Sequence, residues 1–245
     1  MQTLSCIAFI LCLVALVSAI PYSSAPSIIK RGEEEIHIFK RDAAMTPEDL
    51  VLAENHGVNA TEMFRHSVIK RRGEEDVTIW VDNSFEETLG PEDNPATPKR
   101  AIKIIDNYTK SGGWNEERCT GHIYRDNTGP NAPCTGGLKQ LRTWAAQNGG
   151  FFSFYETGKP WRTLVAAGTN TGCNGRIRMQ KKSSWGTNNL GVGNADIYYI
   201  VDGSLKRFGR WYSGRERMRS HGETFCGIGH NGGINWQVTD WANRV

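Results

Sequence analysis

The chain has 245 residues, with 29 basic and 26 acidic side chains, a formal net charge of +3 and eight tryptophans. The small net value hides an asymmetry, since residues 20–100 carry 10 basic and 16 acidic side chains and residues 101–245 carry 19 and 10. Seven of the tryptophans lie from Trp114 onward, which excludes a disordered rear half, and beyond the N-terminus no segment is apolar enough to anchor the chain in a membrane.

Leu4 to Val17 is an apolar run of 14 residues that ends in the small-residue pattern Val17-Ser18-Ala19. The run is short for a bilayer span and fits a signal-peptide core over residues 1–19, although no positive charge precedes it. The protein is therefore expected to be secreted and extracellular, without a transmembrane segment. Cys6 and Cys12 would leave with the leader. Cys119, Cys134, Cys173 and Cys226 remain, all in the basic half. An even number in an exported domain implies disulfides, with three possible connectivities.

Residues 20–100 read as an acidic, cysteine-free pro-segment cut by dibasic sites at Lys30-Arg31, Lys40-Arg41, Lys70-Arg71-Arg72 and Lys99-Arg100. A kexin-type protease would cut after Arg100, leaving a mature form that starts at or near Ala101. The segment repeats itself. Ser27-Ile28-Ile29-Lys30-Arg31-Gly32-Glu33-Glu34-Glu35-Ile36-His37-Ile38-Phe39 returns as Ser67-Val68-Ile69-Lys70-Arg71-Arg72-Gly73-Glu74-Glu75-Asp76-Val77-Thr78-Ile79-Trp80, which reads as a duplicated release cassette or as a duplication without a message. Polar, acidic composition predicts disorder here, with one short helix started by a Thr46 cap on Pro47-Glu48-Asp49. Asn59-Ala60-Thr61 and Asn107-Tyr108-Thr109 are acceptor sequences for glycans at Asn59 and Asn107.

Residues 101–245 are long enough for one compact core. A strand is expected from Cys119 through Tyr124. A helix follows, capped by Thr135, with Leu138, Leu141 and Ala145 at helical spacing and Asn148-Gly149-Gly150 as its stop. Phe151–Tyr155, Trp161–Ala167 and the alternating Arg176-Ile177-Arg178-Met179-Gln180 read as strands. A second helix starts near Asn194, with Ile197, Ile200, Val201, Leu205 and Phe208 on one face and Gly209 at its end. Gly203 weakens it by roughly 1 kcal/mol. Ile234-Asn235-Trp236-Gln237-Val238 is a terminal strand. The sum is an α+β sandwich, a small disulfide-bonded antiparallel sheet with two helices on one face, preceded by the disordered pro-segment.

Catalytic signals are sparse. His122, His221 and His230 with Glu156 or Glu223 could serve an acid–base ribonuclease, and the arginine-rich strand would suit phosphates. His221-x-Glu223 with His230 lacks the spacing of a helical zinc site, so no metal and no cofactor is assigned. Nucleophile elbows and phosphate loops are missing from the sequence.

With those residues in place, Cys119 to Cys226 resembles the fungal Ecp-two effector family, the Hce-two domain of necrosis-inducing factors. Its pattern is carried by Cys119, Pro133-Cys134, Gly172-Cys173, Gly193-Asn194-Ala195-Asp196-Ile197 and Gly222-Glu223-Thr224-Phe225-Cys226. The chain departs from that pattern at Asn174-Gly175 after the third cysteine and in the Gly-rich stretch after Cys226. A looser similarity in topology is to the smut-fungus viral killer toxin. The resemblance implies a virulence factor, an effector or toxin that acts on a host or competitor. It brings no catalytic residues with it, because none are established for the family.

The expected function is therefore target binding without catalysis, by a monomer, with an RNA-cleaving toxin as the alternative. The bridges favoured by element placement are Cys134–Cys173 and Cys119–Cys226, with the other pairings left open by spacing. The net charge of +9 on residues 101–245 calls for an anionic partner, either a surface or a receptor. Arg176 and Arg178 alternate on one strand, and Arg215, Arg217 and Arg219 repeat the placement. If those strands are neighbours, all five arginines share one exposed face.

Overall fold

The computed structural model describes residues 25–87, 119–154, 160–182, 190–226 and 232–240. The expected leader, the Lys99-Arg100 site and Asn107 lie outside the described residues.

Residues 25–87 are folded, which corrects the expectation of disorder over that stretch. They form β1 (Ser27–Arg31), β2 (Glu34–Ile38), α1 (Pro47–Asn55), β3 (Met63–Arg71), β4 (Val77–Asp82) and β5 (Phe85–Glu86). The two copies of the repeat are two β-hairpins, β1–β2 and β3–β4, that pair with each other through β2 and β3. The turn glycines Gly32 and Gly73 take φ of 55° and 78°, a region that other residues enter only at a cost. The basic and acidic blocks face one another across the strands. Lys30 stands opposite Glu35 and Arg31 opposite Glu34, while Glu34 also stands opposite Arg71, whose Nε donates to its Oε1 at 2.6 Å. Cross-strand register turns those charges into pairs.

The helix α1 begins as its sequence indicates. Thr46 Oγ1 accepts from Asp49 N at 3.2 Å, and Asp49 Oδ2 accepts from Thr46 N at 2.9 Å, a reciprocal capping box.

The rear half supplies β6 (Cys119–Asp126), α2 (Thr135–Gln147), β7 (Phe151–Phe154), β8 (Arg162–Thr169), β9 (Gly175–Lys181) and β10 (Leu190–Gly193). After these come α3 (Asn194–Phe208), β11 (Arg210–Tyr212), β12 (Arg215–Arg217), β13 (Ser220–Cys226) and β14 (Gly232–Thr239). Nine strands make one antiparallel sheet in the order β1-β2-β3-β4-β8-β9-β14-β13-β6. The sheet runs straight across the boundary expected at Arg100, because β4 pairs with β8 from Val77↔Thr169 to Val81↔Val165. A smaller sheet, β10-β7-β5, also draws on both halves.

As expected, α2 and α3 pack together over one face of the sheet, with Leu138, Leu141, Ile197, Ile200 and Val201 buried in a shared core with Ile177, Met179 and Trp236. On the opposite face α1 covers the β3–β4–β8 end, where Ala53 packs with Trp80 and Ala166. The cap of α2 differs by one residue from the sequence reading. Cys134 is the N-cap, and Thr135 inside the helix instead donates its hydroxyl to Glu216 Oε2 at 2.7 Å.

The motif Gly193-Asn194-Ala195-Asp196 opens α3 for a visible reason. The fully buried Asp196 carboxylate accepts from Gly193 N at 2.8 Å and from Cys119 N at 3.1 Å, so one side chain caps the helix and holds β6. Gly203, costly for helix propensity, is required by packing. A Cβ there would lie 2.6 Å from the Tyr124 hydroxyl, which donates to Tyr199 O at 2.9 Å.

Candidate functional site

Two bridges frame the rear half. Cys119–Cys226 joins residues directly opposite each other on β6 and β13. Cys134–Cys173 ties the start of α2 to the β8–β9 turn, where Gly137 N also donates to Cys173 O at 3.0 Å. Together they hold both ends of the sheet segment that carries the arginines.

Alternation along β9 puts Ile177 and Met179 into the helix-covered core and turns Arg176, Arg178 and Gln180 to the other face, partly buried. Register then builds a polar row across four strands. Arg178 stands opposite Gln237 of β14, Gln237 opposite His221 of β13, and His221 opposite Arg125 of β6. At a strand spacing of about 4.8 Å the row is roughly 14 Å long. One step along lie Gln180, Asn235 and Glu223. The Trp161 ring lies 5.9 Å from the Arg178 guanidinium.

Partly buried cations gather on this face, with Asp240 and Glu223 among them. Burial, and after it the neighbouring Arg178, pushes the Arg176 pKa down to about 10, with Asp240 acting against the shift. Burial also lowers the pKa of Arg178. Both remain cations at neutral pH, partly stripped of water and side by side. Arg219 joins them from the end of β13, 3.5 Å from Asp240. Glu223 is already engaged by Lys182 and by Arg125 at 3.3 Å, and these contacts, Lys182 foremost, hold its carboxyl below the usual range.

The five arginines do not share one face. Arg215 and Arg217 lie on β12, which pairs with β11 in a separate two-stranded sheet and meets Cys134 through an isolated bridge at Arg217. Arg217 donates to Ala132 O at 2.6 Å and Arg219 to Asn131 O at 2.8 Å, so both also brace the loop before α2. The condition that the strands be neighbours fails because the Ser213-Gly214 turn folds the run into its own hairpin and β14 separates β13 from β9. That hairpin presents Trp211, 74% exposed, between Arg210 and Tyr212. Arg125, Gln237 and Trp161 were missed as members of the surface. The alternation Asn235-Trp236-Gln237 was the available signal, but only register puts Gln237 beside Arg178.

The residues of the ribonuclease reading are scattered. His122 Nδ1 lies 2.8 Å from Thr224 Oγ1 in an open groove of about 720 Å³ between β6 and α3, whereas His221 belongs to the opposite, arginine-bearing face. Glu156 and His230 lie outside the described residues. In the groove Asp202 is paired with Lys206 at 2.7 Å and Arg142 at 3.2 Å, and Arg207 covers the Tyr124 ring at 4.1 Å. Among the described residues no group of three or more His, Cys, Asp or Glu could hold a metal, and no helix is long and apolar enough to cross a membrane.

Of the dibasic sites, Lys30-Arg31 ends β1, Lys40-Arg41 is exposed just after β2, and Lys70-Arg71-Arg72 enters the β3–β4 turn. Arg71 is held there by Glu34 and by Glu74 at 3.2 Å. Asn59 is exposed after α1, with its Oδ1 accepting from Thr61 Oγ1 at 2.8 Å.

The buried Asp196 cap and the two bridges fall within the stretch that matches a known family. Residues 118–226 match the model of the Hce2 family. The family is described as "Pathogen effector; putative necrosis-inducing factor". The Hce2 match contains both bridges, α2 and α3. It lies wholly after β1–β5 and ends before β14, although β4 and β14 flank β8 and β9 within the same sheet. No curated protein matches the chain.

Proposed function

We propose that the protein is a secreted effector that acts by binding an anionic target in a host or competitor, without catalysis. The observation that carries this reading is the pair Arg176 and Arg178, adjacent and partly buried on an open sheet face, with Gln237, His221 and Arg125 continuing the row. Two partly desolvated like charges raise the local potential and gain from an anion that bridges them. The four bridged cysteines and the apolar N-terminal run support export, and the dibasic pairs support maturation by a kexin-type protease.

Binding of the bridge-intact protein to an immobilised polyanion tests the reading. Affinity should fall at least tenfold between low and physiological salt, as the Debye length shrinks to about 8 Å. Arg176→Gln with Arg178→Gln should reduce it further while circular dichroism stays unchanged. Full binding by the folded double variant would remove the arginine face from the mechanism. Measurable turnover of RNA, lost in His221→Ala, would replace binding with nuclease action.

A further inference from the structure

Residues 25–87 meet the rear half through an interface that resembles a protein core. Ile79, Trp80 and Val81 of β4 and Leu164, Val165, Ala166 and Ala167 of β8 are all fully buried. Phe85 packs its ring 5.0 Å from Phe152 and 5.7 Å from Trp144. Polar contacts fix the register. Arg162 clasps the Asp82 carboxylate, with Nε donating at 2.7 Å, and the buried Trp144 indole donates to His66 Nδ1 at 3.1 Å. Thr171 Oγ1 donates to Glu75 Oε2 at 2.6 Å.

The same interface shows what removal would leave behind. β8 would become an edge strand with unpaired backbone groups and an apolar flank, an arrangement that folded proteins avoid because it templates aggregation. Charge also favours retention, because the front half is acidic and the rear half basic. No cysteine lies in residues 25–87, so among the described residues the halves are held together by non-covalent contacts.

We infer that residues 25–87 are a permanent part of the effector. They donate β4 to complete the sheet of the rear half, and a cut between residues 88 and 118 yields two chains that stay docked. Maturation at Lys99-Arg100 would then convert one chain into a tightly held pair and would not discard a pro-segment. The inference stands on the interface alone and holds whether or not the arginine face binds a target.

The test uses the full chain with a site-specific protease sequence inserted after Arg100. After complete cleavage, denaturing electrophoresis should show two fragments, while native size exclusion should give one peak at the position of the uncut protein. The amides of β8 should keep their hydrogen-exchange protection. Arg162→Ala combined with Trp144→Phe should speed release of the front fragment at least tenfold after the cut. Elution of the front fragment by itself, with the rear fragment either soluble or precipitated, would overturn the inference.

Discussion

At the scale of single residues, buried polar groups decide more than the exposed charges do. Asp196 serves two backbone donors from separate elements. Asp196→Ala should cost about 3 kcal/mol, since two buried N–H groups lose their acceptor. Urea denaturation at constant bridge content measures this, and a loss below about 1 kcal/mol would mean that water takes over both bonds. His56 carries a pH dependence. Its Nδ1 accepts from the Trp80 indole at 3.1 Å, and burial lowers its pKa. The unfolded chain therefore takes up the proton first, so the stability from neutral His56 is present above about pH 6.5 and declines as pH falls below it. The unfolding midpoint should drop on acidification from pH 7.5 to 5.5 in the native chain and drop less in His56→Gln. Equal drops would assign the effect to other groups.

Among elements, the two hairpins show how one sequence pattern serves pairing. Gly73→Ala in the β3–β4 turn should destabilise by about 1 kcal/mol, because alanine resists positive φ. The same change at Gly129, where a Cβ meets nothing and φ is not positive, should be nearly silent in the same denaturation assay. The Cys134–Cys173 bridge has a sequence separation of 39, and the chain-entropy model assigns it about 4 kcal/mol. Replacing both cysteines with serine should lower thermal stability without unpairing β6 from β13, which Cys119–Cys226 joins. Disappearance of that second bridge from peptide maps would show that the two fold as one unit.

For the whole molecule, charge and processing meet. The acidic front and basic rear look separable by composition, yet one sheet holds both. Mass spectrometry of the secreted protein should find a chain beginning at or near Ala101 together with a front fragment in equal amount. A secreted form that keeps residues 20–100 attached would refute cleavage after Arg100 but leave the docked interface untouched. Recovery of the rear chain alone would contradict retention.

The sequence by itself determined the local elements. Capping and stop residues placed α1, α2 and α3, alternation placed β9 and β14, and the cysteine and Gly-Asn-x-Asp pattern pointed to the effector family. These signals are short-range, so they can be read without knowing the neighbours. Tertiary structure decided the rest. Residues 25–87 join the sheet through the pairing of β4 with β8, and no local window contains both strands. Likewise, the dibasic and acidic blocks became cross-strand pairs only once register set Lys30 beside Glu35 and Glu34 beside Arg71. The arginine surface followed the same logic. Alternation put Arg176 and Arg178 on one side of a strand, but β14, placed between β9 and β13, chose Gln237 and His221 as their companions and left Arg215 and Arg217 on a separate hairpin. Strand order is set by long-range burial, which depends on the whole set of apolar faces at once and so cannot be read from any one of them.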